Sequence, residues 1–377
     1  MRDDLQDLVD EVSRVLAAPA TLEDADFTLL AFCAHDDSGA DPIDAVRTRS
    51  ILTRGSAPET RRWFEDFGIA SATRPLRTPA EPAAGILTRL VLPVRHGGEI
   101  RGYLWLLDDG RIDPDDDGDP ALERAQDLAA DAGRLLAGRA AADLGDALAD
   151  VLDGRPGARP PAERRLAERL TGDGLQVLVA LCPAGGAVPR GWRLPAAGAV
   201  ATVVAGGAVA VLVPLPAPAD LRPAGALTAA SLRSLPAGSS AGVSAVRRGA
   251  AELADQWQEA RTAARIAAAV DRFSPVAHWG ELGAWRLAAQ IPGPDPALRP
   301  LLADAVLAAT AETFLDCAGS AARTAEALCI HRQTLYYRLG RITALTGLDL
   351  ADGDARLLVH AGLRAARLRD GTRPPRS

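Results

Sequence analysis

Lysine is absent from this chain: all 42 basic residues are arginine. Alanine, glycine and proline are heavily used, so the bias reads as GC-rich coding before it reads as function. Cysteine is scarce. Cys33, Cys182, Cys317 and Cys329 lie far apart and form no C-x-x-C pair, which excludes a zinc framework and a disulfide scaffold. The five histidines, His35, His96, His278, His331 and His360, never pair at metal-ligand spacing with each other or with a cysteine, so no metal is expected. The N-terminus lacks the basic start and apolar run of a signal peptide, and a reducing cytoplasm is the expected compartment. Long apolar runs are also missing. Leu194 to Ala219 carries no charge, but Gly198, Gly206, Gly207 and Pro214 break it. The β-branched runs on either side of Gly206-Gly207 predict a hairpin, not a membrane span.

What is present is ordinary for a globular protein. The chain has 377 residues, 48% hydrophobic and 24% charged. At about 150 residues per domain, two or three domains are expected. The net charge of −7 excludes a protein that coats nucleic acid over its whole surface. It leaves room for a small basic reading head.

The patterning predicts a multidomain α+β chain. Residues 1–140 form a first unit: a helix from Asp7 to Leu16, a strand from Phe27 to Phe32 and a helix from Asp44 to Thr53. Two strands, Leu87 to Val94 and Ile100 to Leu107, turn at Gly97-Gly98, where glycine takes positive φ freely. A long Ala- and Leu-rich helix, Pro120 to Asp153, ends this unit and could pair with a copy of itself. Arg155 to Pro161 reads as a linker by composition. Residues 154–275 form a second unit, with helices from Ala162 to Leu170 and Gly249 to Val270. Its strands at Leu175–Leu181, Val200–Val204, Ala208–Val213 and Ser240–Ser244 are near-continuous apolar runs, so the sheet is expected to be covered on both faces. Residues 298–370 form an all-helical third unit. Trp257, Trp279 and Trp285 are placed at the junction of the second and third.

The third unit holds the most informative stretch, Ser320 to Leu345. Ser320 suits an N-cap for a short helix to Leu328. Ala321, Ala322 and Ala325 allow a close helix crossing, Cys329-Ile330 is a tight break, and His331 opens a second helix. At about 100° per residue, Leu335, Leu339 and Ile342 share one face. Gln333, Thr334, Tyr337 and Arg341 lie opposite, and Arg332, Tyr336 and Arg338 flank the apolar stripe. Arginine reads guanine or phosphate, glutamine pairs with adenine, and hydroxyls bind phosphate. From Ser320 to Gly347 there are four Arg and one Glu, a local +3 on a chain of −7. That reversal of sign is the footprint of a small DNA-reading head. An ordinary amphipathic helix pair with a solvated basic face gives the same periodicity, so spacing alone leaves both readings open.

The run Thr324 to Leu339, with Arg341-Ile342 and Leu345-Thr346-Gly347-Leu348-Asp349-Leu350, resembles the C-terminal helix-turn-helix of the PucR/CdaR family of bacterial transcriptional regulators. It keeps His331, Arg332, Thr334, Leu335, Tyr337, Arg338, Leu339, Arg341 and Ile342 of the family pattern. It differs at Gln333, where the family has Asn, and at Tyr336 and Gly340, where basic residues are usual. Asp354 to Leu363 matches the family's last helix. The resemblance covers about 70 residues well and implies a DNA site at His331, Arg332, Gln333, Thr334, Tyr336, Tyr337, Arg338 and Arg341. More weakly, residues 87–107 resemble the closing strands of a GAF-like sensory domain, and residues 162–270 resemble a degenerate GGDEF-like domain. Gly206-Gly207-Ala208-Val209 stands where active cyclases carry acids. Ala208 and Val209 cannot hold Mg²⁺, so no cyclase activity is expected. The implied protein is a ligand-responsive regulator of a catabolic or metabolic operon, no enzyme. Its implied partners are double-stranded DNA, further copies of itself in a homodimer or higher homo-oligomer and an unidentified small effector, with RNA polymerase a further candidate, and no membrane or cofactor.

Two motifs point elsewhere. Gly238-Ser239-Ser240-Ala241-Gly242 fits G-x-S-x-G, but a nucleophile elbow needs a strand before it and a helix directly after it. Here Pro236 precedes the motif and a strand continues through it. Asp113 to Gly118 fits the opening of a calcium loop, but the twelfth position is Arg124 instead of Glu. An acidic surface loop whose Asp117 or Asp119 caps the next helix is the plainer reading. The rivals to a regulator are thus a relic cyclase or hydrolase, and a small-molecule or protein-binding sensor without sequence-specific DNA binding.

Overall fold

The computed structural model describes residues 2–33, 45–153, 157–170, 174–195, 199–293 and 295–370. His35, Asp44, Arg155, Pro156 and Gly198 lie outside them. The chain divides into two compact units, residues 1–142 and 143–377.

The first unit contains α1 (Arg2–Leu16), β1 (Ala20–Asp24), β2 (Leu29–Cys33), α2 (Ala45–Thr53), α3 (Pro58–Asp66), β3 (Leu76–Thr78), β4 (Arg89–His96), β5 (Glu99–Leu106) and the start of α4 (Pro120–Asp153). The strands form an antiparallel sheet in the order β2-β1-β5-β4-β3. Alternation sorts its side chains. Leu90, Leu92, Leu104 and Leu106 pack with Leu5, Val9 and Val12 of α1 and Leu122 and Leu128 of α4. Val91, Tyr103 and Trp105 face the other way, into a cluster with Phe27, Phe64, Ile69 and Ile86. This is period-two packing on both faces of one sheet.

One expectation is corrected here, and one strand is added. The strand predicted from Phe27 starts at Leu29, because Phe27 sits at φ +62°. Asp24 accepts from the backbone N–H of Asp26 and Thr28, which fixes a turn there, and the Phe27 ring packs at a tilt against Tyr103 and Trp105. Strand β1 had no expectation at all; Ala20-Thr21-Leu22-Glu23-Asp24 carries a buried glutamate that hides its strand pattern. The β4–β5 turn lies where the glycines put it, with Gly97 and Gly98 at φ +61° and +82°. Asp119 caps α4 by accepting from Ala121 and Leu122 N–H, while Asp117 pairs with Arg74.

The second unit continues with α5 (Arg159–Arg169), β6 (Leu175–Cys182), β7 (Val200–Val203), β8 (Val209–Pro214), α6 (Arg222–Ser234), β9 (Ser240–Val243), β10 (Arg247–Arg248) and α7 (Leu253–Ala269). After β11 (Val276–His278) come the helices α8 (Trp285–Ala288), α9 (Arg299–Leu302), α10 (Ala305–Asp316), α11 (Ala321–Ala327), α12 (Arg332–Thr346) and α13 (Gly353–Asp370). The sheet runs β11-β9-β6-β8-β7, with β10 pairing β6. It is covered on both faces, as the apolar strands require. Leu178, Ala180, Ala210 and Leu212 pack on α5, α7 and the end of α4, and Val177, Val179, Val211 and Val213 pack on α6.

The β7–β8 hairpin turns at Gly206 and Gly207, φ +89° and +78°. Among the described residues no helix is long and apolar enough to cross a membrane. Helix α7 starts at Leu253, later than the expected Gly249, since Gly249 takes φ +69° and donates to Gly174. Trp257 is not at the expected junction; it is buried in the sheet core under α7. Trp279 and Trp285 do lie with Ile266 of α7 and Leu368 of α13. Ser240 is buried, and its hydroxyl donates to the Ala264 carbonyl. The chain after β9 runs through β10 before any helix, so the elbow geometry is not formed.

Candidate nucleic-acid interface

The C-terminal helices share a core of Leu298, Leu301, Leu307, Ala311, Phe314, Ile342, Leu350, Val359 and Leu363. Its frame is α10. Asp304 caps α10 by accepting from Val306 and Leu307 N–H. The helix ends in a tight reversal, Ala318 and Gly319 at positive φ, with Gly319 N–H donating to the Phe314 carbonyl at 2.8 Å. That is a six-to-one bond of the kind that closes helices.

Ser320 then caps α11, accepting from Arg323 N–H. Thr324 and Ala325 of α11 are buried, so the small inner face meets the neighbouring helices closely. The break falls at Cys329, φ +52°, where Ile330 N–H reaches back to the Ala325 carbonyl at 2.9 Å. His331 is the N-cap of α12: its backbone is extended and its Nδ1 accepts from Gln333 N–H at 3.3 Å. Gly347 ends α12 in the left-handed conformation. Short helix, tight turn and longer helix thus follow from two N-cap side chains, one positive-φ turn residue and one glycine.

The predicted wheel of α12 is realised. Leu335 and Ile342 are fully buried and Leu339 is half-buried. His331, Arg332, Gln333, Thr334, Tyr336, Tyr337 and Arg341 are all exposed. Tyr336 and Tyr337 are 61% and 69% exposed, unusually high for aromatic rings. Most of each ring is open to a partner from outside. Seven of the eight expected site residues are therefore accessible around the outer surface of the helix.

Arg338 is the exception. It is half-buried, and its guanidinium donates to the hydroxyl of Thr310 on α10 at 3.2 Å. No local pattern announces that bond, because Thr310 lies 28 residues earlier. Arg323, exposed on α11, adds a guanidinium outside the expected set. Among the described residues no group of histidine, cysteine or carboxylate side chains is placed to hold a metal.

Residues 307–365 match the model of the PucR C-terminal helix-turn-helix domain. The DNA-binding transcriptional activator AdeR of Bacillus subtilis (strain 168) is 28% identical over 120 residues, 30% of this chain and 27% of its own. The proline-responsive transcriptional activator PutR of the same organism is 29% identical over 110 residues, 27% of this chain and 25% of its own. The carbohydrate diacid regulator of Escherichia coli (strain K12) is 58% identical over 41 residues, 11% of each chain. The matches thus span about a quarter or less of these relatives' lengths. Residues 307–365 are thus a helix-turn-helix domain of the PucR type, similar to segments of these transcriptional regulators.

Proposed function

We propose that the protein is a ligand-responsive transcriptional regulator that reads double-stranded DNA as a dimer through α12. The observation that carries the reading is the exposed face of that helix. It gathers Gln333, Thr334, Tyr337 and Arg341 on one side, with Arg332 at its exposed edge, directly after a capped helix-turn-helix break. A helix presented this way enters the major groove with its N-terminal residues at base edges. His331, Arg332, Gln333 and Thr334 occupy that N-terminal end, and Tyr336, Tyr337 and Arg341 continue along it. Arg338 belongs to the site as the side chain that holds the helix on α10.

The rest of the chain serves regulation in this reading. Residues 1–140 act as a GAF-like sensory domain, 154–275 as a degenerate GGDEF-like domain and 298–370 as the DNA-binding domain. A sheet lined on one face by an aromatic cluster supports the first assignment, and the acid-free hairpin around Gly206-Gly207 supports the second. Without carboxylates there, a nucleotide cyclase has no means of holding Mg²⁺, and the protein acts by binding, not catalysis. One reading helix contacts few bases, so two copies on paired half-sites multiply affinity. Effector binding then shifts the population toward the dimer arrangement that matches the half-site spacing. A catabolic or metabolic operon is the proposed target, since two relatives bear the names of a proline-responsive activator and a carbohydrate diacid regulator.

The test is selection of genomic DNA fragments by the purified full chain, repeated with Arg332→Ala. A discrete paired site is expected, with the variant losing about 1–3 kcal/mol on it if Arg332 reads a base. Diffuse binding that Arg332→Ala leaves unchanged would instead assign the exposed α12 face to a protein partner.

A further inference from the structure

A small pocket opens where α10 and α13 meet the end of α7, away from the exposed face of α12. Its volume is about 220 Å³, and its walls include Asp271, Arg272, Trp285, Asp316, Arg364 and Arg367. Three guanidinium groups against two carboxylates leave this lining at a formal +1.

The guanidiniums are only partly engaged. Arg364 donates to Asp316 Oδ1 at 2.8 Å and lies 5.0 Å over the Trp285 ring. Arg367 pairs with Glu312 at 3.2 Å through one nitrogen. Arg272 is exposed and lies over the ring of Phe273 at 4.6 Å. Arginine has five N–H donors in a planar fork that fits a carboxylate with two parallel bonds. Asp316 is shared, since its Oδ1 also meets His360 Nε2 at 2.9 Å. Arg364 Nε and the Trp285 indole N–H, both buried, have no acceptor among the described residues. The wall therefore holds two buried donors without an acceptor among the described residues, beside its carboxylates and one aromatic surface.

We infer that this pocket binds a small organic acid through its carboxylate. Arginine supplies the charge-assisted fork, and the Trp285 side of the pocket takes the short carbon chain. The volume falls below the range of drug-sized ligand sites, which restricts the acid to a few carbons. As an effector seat the inference rests on the regulatory reading above, and the structure gives it a route. Asp316 is the last residue of α10, and Ser320, four residues on, caps the first helix of the reading pair. A ligand carboxylate competes with Asp316 for Arg364 and so acts on the anchor of that turn.

Calorimetric titration of the full chain with propionate, L-lactate and L-alanine tests this. The three share a carbon skeleton and differ in the α substituent; propylamine is the cationic control. Saturable binding of at least one acid, and none of propylamine, is expected. Arg272→Gln should weaken that binding about tenfold, the worth of one charge-assisted contact, whereas Arg233→Gln, exposed on α6, should leave it unchanged. Three results would overturn the inference: no binding of any acid up to about 10 mM, a concentration corresponding to only weak affinity, an acid affinity indifferent to Arg272→Gln, or propylamine binding as well as the acids. DNA selection on the same protein separates the two proposals. Site-specific DNA binding without acid binding removes only the pocket, and acid binding without DNA preference removes only the regulatory reading.

Discussion

Two arginines six residues apart on one helix have different jobs. Arg332 stands at the exposed start of α12, whereas Arg338 turns inward to Thr310 on α10. A periodic wheel puts both beside the apolar stripe and cannot tell them apart. Only the preceding helix decides, by offering a hydroxyl that is itself buried and bonded to the Val306 carbonyl at 2.7 Å. Thr310→Val removes the acceptor while nearly keeping the shape. It should cost about 1.5–3 kcal/mol of stability, the range for a hydrogen bond to a charged group, as read by urea unfolding. DNA selected by that variant should show the wild-type sequence preference at uniformly reduced affinity. A changed preference would mean that Arg338 reads bases after all.

At the scale of elements, the legible parts were those with local signals. The Gly-Gly hairpins, the long α4 and the α11–α12 pair all carry caps, turn glycines or strong periodicity in contiguous residues. The signals failed where tertiary partners decide. Helix α6 begins Arg222-Pro223-Ala224-Gly225, a loop-like composition, yet Ala224 and Leu227 are buried against the sheet. Strand β1 holds the buried Glu23, which accepts from Ser50 and whose carboxyl is pushed up chiefly by burial. The exposure of the candidate face was legible, though not the inward turn of Arg338. Close approach between elements is also invisible to periodicity. A Cβ on Gly242 of β9 would lie 2.1 Å from the Ala260 carbonyl and 2.3 Å from Ala264 N–H of α7. Backbone cannot yield as a side-chain tip can, so Gly242→Ala should cost at least about 2 kcal/mol. Thermal unfolding measures it, and a neutral result would mean that α7 rides on the sheet more loosely than these distances imply.

The turn after β5 is held by charge. Asp108 is fully buried and takes both forks of Arg77, at 2.7 and 2.6 Å, plus Ile112 N–H at 2.9 Å. Burial alone would raise its carboxyl. The Arg77 bonds and the Ile112 and Gly110 N–H groups outweigh that, and the net direction is below the ordinary carboxylate value. The folded state thus holds the proton less tightly than the unfolded chain, whose aspartate titrates near about 3.9. The stabilisation is fully present above that value and is lost as pH falls through the lower, folded one. Asp108→Asn should therefore be clearly less stable than wild type near neutrality, with the gap closing in acid. Paired urea titrations at neutral pH and near about pH 3, below the unfolded value, check it; a gap of constant size would assign the effect to shape instead of charge.

The whole molecule is acidic, at −7, while its reading head is locally basic. Under the proposed reading, the cations of that head are the ones expected to meet phosphate. Each phosphate contact made by a cation adds about 0.9 to the slope of log affinity against log salt. Among the head's arginines from Ser320 to Gly347, Arg323, Arg332 and Arg341 are exposed and Arg338 is turned inward. Three contacts at most give a slope of about −2.7 for one copy and about −5.4 for two. A single salt titration on the selected site therefore counts reading heads. A slope near the larger value supports a dimer astride two half-sites, and one near the smaller value supports one bound head. A slope near about −10 exceeds what two such heads supply. That result would require cations from elsewhere in the chain to face DNA, and the acidic remainder would then have to carry a second basic surface.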